Sequence, residues 1–167
     1  MNIIIANIFG FISLLISIYM YQANTKKDLL LRQIFYTIFI LIEFIFLNAY
    51  VAFLVSLISL IRTLIYYYCQ KTNRKIPILY LVLIVVLFLL SLLFNYQNIF
   101  SFIPVIIGIS YTITLLIKNV NKIKIICIIL AILWIIYYLV IHAYVSIITR
   151  IIDIISILYS IKKDFKK

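Results

Sequence analysis

Seven long apolar runs occupy almost the whole chain, at residues 3–21, 33–48, 51–69, 77–94, 101–117, 124–141 and 144–161. About 20 apolar residues cross the hydrocarbon of a bilayer as a helix. With 68% of its 167 residues hydrophobic, the chain has more apolar surface than its own core could hide, because surface outgrows core at this size. Lipid can cover it. The expected fold is therefore an all-α integral membrane protein with seven transmembrane helices. At about 1.5 Å per residue, a run of about 18 residues covers roughly 27 Å, enough for a thin bilayer. Only Asn48-Ala49-Tyr50 separates the second and third runs, and only His142-Ala143 the sixth and seventh. Turns that short force antiparallel neighbours. The first run has no basic stretch before it and no A-x-A site after it, so it is expected to stay as a helix rather than leave as a secretory signal.

The charges then set an orientation. Basic residues fall in every second connection: Lys26, Lys27 and Arg32, then Lys71, Arg74 and Lys75, then Lys118, Lys122 and Lys124. The basic tail, 162–167, adds Lys162, Lys163, Lys166 and Lys167. The N-terminus and the intervening connections hold no Lys or Arg. The positive-inside rule places the N-terminus outside and the C-terminus in the cytoplasm. A net charge of +11 would suggest nucleic acid in a soluble protein. Here the lysines are flanks facing an anionic leaflet, and no nucleic-acid partner is expected. Tyr66, Tyr67, Tyr68, Tyr96, Tyr144 and Tyr159 lie near run boundaries, as interfacial belts do. Cys69 and Cys127 fall near cytosolic helix ends, where neither a disulfide nor a metal site is expected of two isolated thiols.

The tripeptide Ala49-Tyr50-Val51 returns as Ala143-Tyr144-Val145, 94 residues later. At that offset Ser56, Ser59 and Arg62 fall opposite Arg150, Asp153 and Ser156. Each trio is spaced i, i+3, i+6, one polar stripe on an apolar helix. Gly10 and Gly108 hold similar places in the first helix of each copy. The chain thus divides into a first three-helix repeat (1–70), a linker helix (77–94) and a second three-helix repeat (101–161). One copy plus the linker makes four helices, so both copies enter from the same side. The result is two parallel three-helix bundles joined by a linker helix (3+1+3), with a site expected at their interface near the midplane.

This organisation resembles the SWEET and PQ-loop transporter superfamily, which implies a path lined by the third helix of each bundle, here helices three and seven. A closer resemblance runs through nearly the full length. Leu60-Ile61-Arg62-Thr63-Leu64-Ile65, Ile103-Pro104-Val105-Ile106-Ile107-Gly108 and the segment from Trp134 to Asp164 are similar to the YgjV-type bacterial inner-membrane protein family. That resemblance implies an inner-membrane location and brings no established biochemical activity with it. The chain departs from the family at Val51, Ala52, Val145 and Ser146, where members tend to carry glycine, and at Ser56 and Arg150, where they tend to carry Asn or a carboxylate.

Glu43, Arg62, Arg150 and Asp153 lie inside the runs. Each costs roughly 2.5–3.5 kcal/mol at a helix centre, so such residues face the bundle interior and pair. Measured from the outer helix ends, Glu43 and Arg150 lie roughly 8–9 Å deep, Asp153 and Arg62 roughly 14–18 Å. The expected pairs are Glu43 with Arg150 and Arg62 with Asp153. Such pairs either staple the bundles or line a path, and Ser56, Ser59 and Ser156 on the same stripes serve as path groups or as close-packing hydroxyls. His142 reads as an interfacial histidine and Trp134 as a lipid- or core-packed ring. Asn7, Gly10, Ser13 and Ser17 give helix one a small, polar edge for close packing. No catalytic, cofactor-binding or metal-ligating constellation appears, and neither an enzyme nor a cofactor is expected. The leading expectation is a small-solute transporter or facilitator; the alternative is a membrane receptor or interaction protein on the same fold. The expected partners are the lipid bilayer, a small-molecule solute and a second copy of the chain in a homo-oligomer.

Overall fold

The structure, a computed structural model, describes residues 2–95, 99–140 and 144–165. His142 and Ala143, the tail lysines Lys166 and Lys167, and Tyr96, Gln97 and Asn98 lie outside the described residues. Among the described residues the chain forms seven α-helices: α1 (Asn2–Tyr21), α2 (Lys26–Phe46), α3 (Tyr50–Lys71), α4 (Ile78–Asn95), α5 (Phe102–Thr114), α6 (Val120–Val140) and α7 (Tyr144–Phe165). A 3-10 turn, Ile99–Ser101, precedes α5. Each expected run coincides with a helix. Three stretches, Lys26–Phe46, Ala52–Lys71 and Val120–Val140, are long and apolar enough by themselves to cross a membrane. Ile5–Tyr21, Ile78–Leu92 and Ile99–Thr114 are shorter apolar stretches.

Two helices, α2 and α6, begin well before their apolar runs. α2 starts at Lys26 rather than 33 because Thr25 caps it: the Thr25 hydroxyl accepts from the Asp28 backbone N–H at 3.2 Å. Asp28 adds a carboxylate to the positive end of the helix dipole. α6 starts at Val120 rather than 124 because the Asn119 side chain accepts from the N–H groups of Asn121 and Lys122. Two helices stop on asparagine. Asn48 and Asn73 both take φ of 53°, and the following N–H reaches back to close the last turn, Ala49 to Phe44 and Arg74 to Cys69. That is the left-handed cap that Asn tolerates better than other non-glycine residues. α5 has only 13 residues, and the Lys26 ammonium donates to the Leu115 carbonyl at its C-terminal end, where a cation is favoured.

Packing runs α1–α2–α3, then α3–α5, then α5–α6–α7, and α7 returns to α1. Six helices therefore close a circuit. α4 lies against α3 and α5, docking Ile84 and Phe88 between Val55 and Val105. Gly108 makes that docking feasible, since a Cβ there would stand 2.6 Å from the Phe88 ring. A second cluster joins Met20 and Tyr21 of α1 to Ile123 and Cys127 of α6 and Ile157 of α7.

The burial pattern is that of a lipid-solvated protein. Ile125, Ile129, Ile132 and Ile136 of α6 and Ile148, Ile151, Ile155 and Leu158 of α7 are exposed at helical spacing. Ser13, Ser17, Thr37, Arg62, Lys124 and Asp153 are buried instead. Water would penalise so large an apolar exterior, whereas hydrocarbon accepts it.

Candidate functional site

Side chains from all six circuit helices converge on one cavity of about 110 Å³. That is room for several waters and falls short of the roughly 300 Å³ at which drug-sized sites begin. α2 supplies Gln33, Tyr36, Thr37, Ile40 and Phe44; α3 supplies Val55, Ser56, Ser59 and Arg62. α6 supplies Cys127, Leu130, Ala131, Trp134 and Tyr138. Met20 and Tyr21 of α1, Ile107, Gly108 and Tyr111 of α5, and Arg150 of α7 complete the wall. The five α6 residues are the five α2 residues displaced by 94 positions, one for one. No glycine, proline or charge was needed to set that match; it follows from the faces the two helices present.

The seven residues singled out on the sequence divide into two groups. Ser56, Ser59, Arg62 and Arg150 line the cavity. Glu43, Asp153 and Ser156 lie beside it, in joints between helices. Asp153 is fully buried and accepts a hydrogen bond from Ser17 of α1. Ser156 sits on the same α7–α1 joint, 3.5 Å from the Ile18 carbonyl and 3.4 Å from the Gln22 side-chain amide. The Glu43 carboxylate lies against Gly10, where a Cβ would meet Oε1 at 2.9 Å. The small edge expected on helix one is thus occupied by two acidic side chains from its neighbours.

The expected pairing of charges is corrected. Asp153 pairs not with Arg62 but with Arg150 on its own helix, Nη1 to Oδ2 at 2.9 Å. A spacing of i, i+3 puts both on one face, and depth along the membrane normal carries no such information about faces. Arg150 also donates to the Tyr36 hydroxyl of α2. Glu43 feels the charge of Arg150, but among the described residues the two form no ion pair. Arg62 is 2% exposed and donates from Nη1 to the Gly108 carbonyl (3.0 Å) and the Thr112 hydroxyl (3.1 Å) of α5. Its guanidinium lies 4.9 Å from the Tyr111 ring centre and 5.9 Å from that of Phe88. Lys124 is also corrected: counted with the loop lysines, it is fully buried in α6 and bonds Ser160 at 2.7 Å and Asp164 at 3.3 Å.

Other wall groups escaped the sequence reading. Tyr111 donates to Gln33 Oε1 at 3.0 Å, joining α5 to α2. Trp134 belongs to the cavity rather than to lipid, stacked on Tyr138 at 5.3 Å with Arg150 5.8 Å from its ring. The signal for Gln33 and Thr37 was their i, i+4 spacing on α2. For Trp134 and Tyr138 it was the repeat offset applied to Ile40 and Phe44. Cys127 in the wall and Cys69 are both buried free thiols.

Among curated proteins and among solved structures, nothing matches the chain. Residues 4–167 match the Imp-YgjV family, described as a bacterial inner membrane protein. With an apolar exterior, spans suited to hydrocarbon and a family match over nearly its whole length, the chain belongs to the Imp-YgjV family of bacterial inner membrane proteins.

Proposed function

We propose that the protein is a small-solute transporter or facilitator whose path runs through the cavity inside the helix circuit. The observation that carries the reading is the cavity wall itself, with Gln33, Ser56, Ser59, Arg62 and Arg150 turned inwards in a chain whose outer face is apolar. A polar cavity at membrane depth is expensive unless it accommodates something polar.

The same reading makes the chain two parallel three-helix repeats, 1–70 and 101–161, joined by a linker helix, α4 (Ile78–Asn95). Two features support it. The α2 and α6 walls correspond residue for residue at the 94-residue offset. The two joints that close the circuit, α1 with α7 and α3 with α5, exchange when α1, α2 and α3 are superposed on α5, α6 and α7. A two-fold axis along the membrane normal has that consequence, and parallel repeats of this kind place their solute on the axis. The SWEET-like 3+1+3 architecture fits this scheme, with access alternating as one repeat rocks against the other. Exposed Lys27, Lys75, Lys118, Lys122 and Lys163 at one set of helix ends support an N-terminus outside and a C-terminus in the cytoplasm.

The test is uptake into proteoliposomes with a panel of small sugars, amino acids, organic acids and inorganic ions. Time-dependent, saturable uptake that Ser59→Leu abolishes supports the reading. Protein that is folded and inserted yet passes none of them above empty liposomes counts against transport and turns attention to a receptor or interaction role.

A further inference from the structure

The cavity holds two guanidinium groups, and they are balanced differently. Arg150 has Asp153 on it at 2.9 Å. Among the described residues no carboxylate forms an ion pair with Arg62. Its hydrogen bonds go to a carbonyl and a hydroxyl, both neutral. Arg62 Nε and Arg150 Nε are buried with no partner, though both residues line the cavity. Arginine does not shed its proton in proteins, so among the described residues the Arg62 charge meets two neutral oxygens and the Tyr111 and Phe88 rings but no counter-ion. Buried charge away from water is costly unless paired. Ser56, Ser59 and Arg62 share one face of α3 at i, i+3, i+6, and all three reach the wall, adding hydroxyl donors to a guanidinium.

We propose that the cavity binds a small monovalent anion, inorganic or a short carboxylate, held by Arg62 with the Ser56 and Ser59 hydroxyls beside it. The volume of about 110 Å³ has room for a halide, formate or acetate. Guanidinium N–H groups suit a carboxylate or halide better than a neutral solute, because charge-assisted bonds are the stronger ones. This deepens the transport reading and rests on it for the cavity's being a solute site.

Trp134 is the chain's single tryptophan and lines the cavity, so its fluorescence reports what enters. The experiment titrates iodide, a quenching anion, into purified protein at constant ionic strength, with acrylamide as the neutral quencher. Formate and chloride then compete as non-quenching anions. The expected result is saturable iodide quenching, reversed by formate or chloride, weakened roughly tenfold or more in Arg62→Gln and largely kept in Arg62→Lys. Iodide quenching that stays linear, with no displacement by either anion in the unaltered protein, overturns the proposal even where a variant fails to fold. Saturable binding without uptake in proteoliposomes keeps the anion site and removes transport. Uptake of a neutral solute with no saturable anion effect keeps the path and removes the anion site.

Discussion

Arg62 and Arg150 stand on polar stripes that the 94-residue repeat superposes, yet they meet different surroundings. On α7 the guanidinium finds a carboxylate three residues along its own helix and a tyrosine hydroxyl across the cavity. On α3 it finds two neutral oxygens and the Tyr111 and Phe88 rings, and the stripe holds two serines where α7 has Arg150 and Asp153. One half of the cavity is internally neutralised and braces α7 against α1 and α2. The other half keeps a positive charge that forms no ion pair among the described residues. On the proposed reading, the two copies hold the same wall shape while one braces the helices and the other receives the anion.

The sharpest way to break this contrast is Asp153→Leu, which leaves Arg150 buried without its carboxylate and Ser17 with only the Leu14 carbonyl as acceptor. A loss of about 3–5 kcal/mol is expected, seen as a large drop in the unfolding temperature in detergent. Asp164→Ala is expected to cost about 1.5–3 kcal/mol, because Lys124 is fully buried and would keep only Ser160 of the two partners. Gly10→Ala pushes a methyl into the Glu43 carboxylate, the far end of a flexible side chain, and is expected to cost about 1 kcal/mol. Glu43→Ala in the same protein should return most of that loss in a double-mutant cycle. Thr25→Ala removes the α2 cap for about 1 kcal/mol. Arg62→Gln sits at the small end for stability, within about 1 kcal/mol of zero, since a buried unpaired charge leaves with it. Gly108 and Thr112 also keep their mutual bond. Thermal melts that rank Arg62→Gln beside Asp153→Leu would show that both arginines are braces and erase the distinction.

How much was readable in advance depended on what each feature needs to be seen. Helix number followed from run length alone, since apolar stretches of membrane-spanning length leave few alternatives. Helix starts did not, because Thr25 and Asn119 stand among loop residues and their capping side chains extend helix into sequence that looks polar. Ser56, Ser59, Arg62 and Arg150 were legible as cavity groups because polar stripes in apolar helices must face inwards. The charge pairs were not, because depth orders residues along the membrane and says nothing of their bearing around the helix axis. The walls from α2 and α6 were missed for another reason: Cys127, Leu130, Ala131 and Trp134 carry no polar contrast against their neighbours. Only the repeat offset, carried from α3 and α7 back to α2 and α6, would have exposed them.

The central claim is that the cavity belongs to a path reachable from both faces of the membrane, and Cys127 in its wall tests this directly. In a Cys69→Ser background, inverted and right-side-out vesicles would be treated with a small membrane-impermeant methanethiosulfonate. The account predicts labelling of Cys127 from either face, slowed by formate. Labelling from one face alone, or from neither in folded protein, would contradict it.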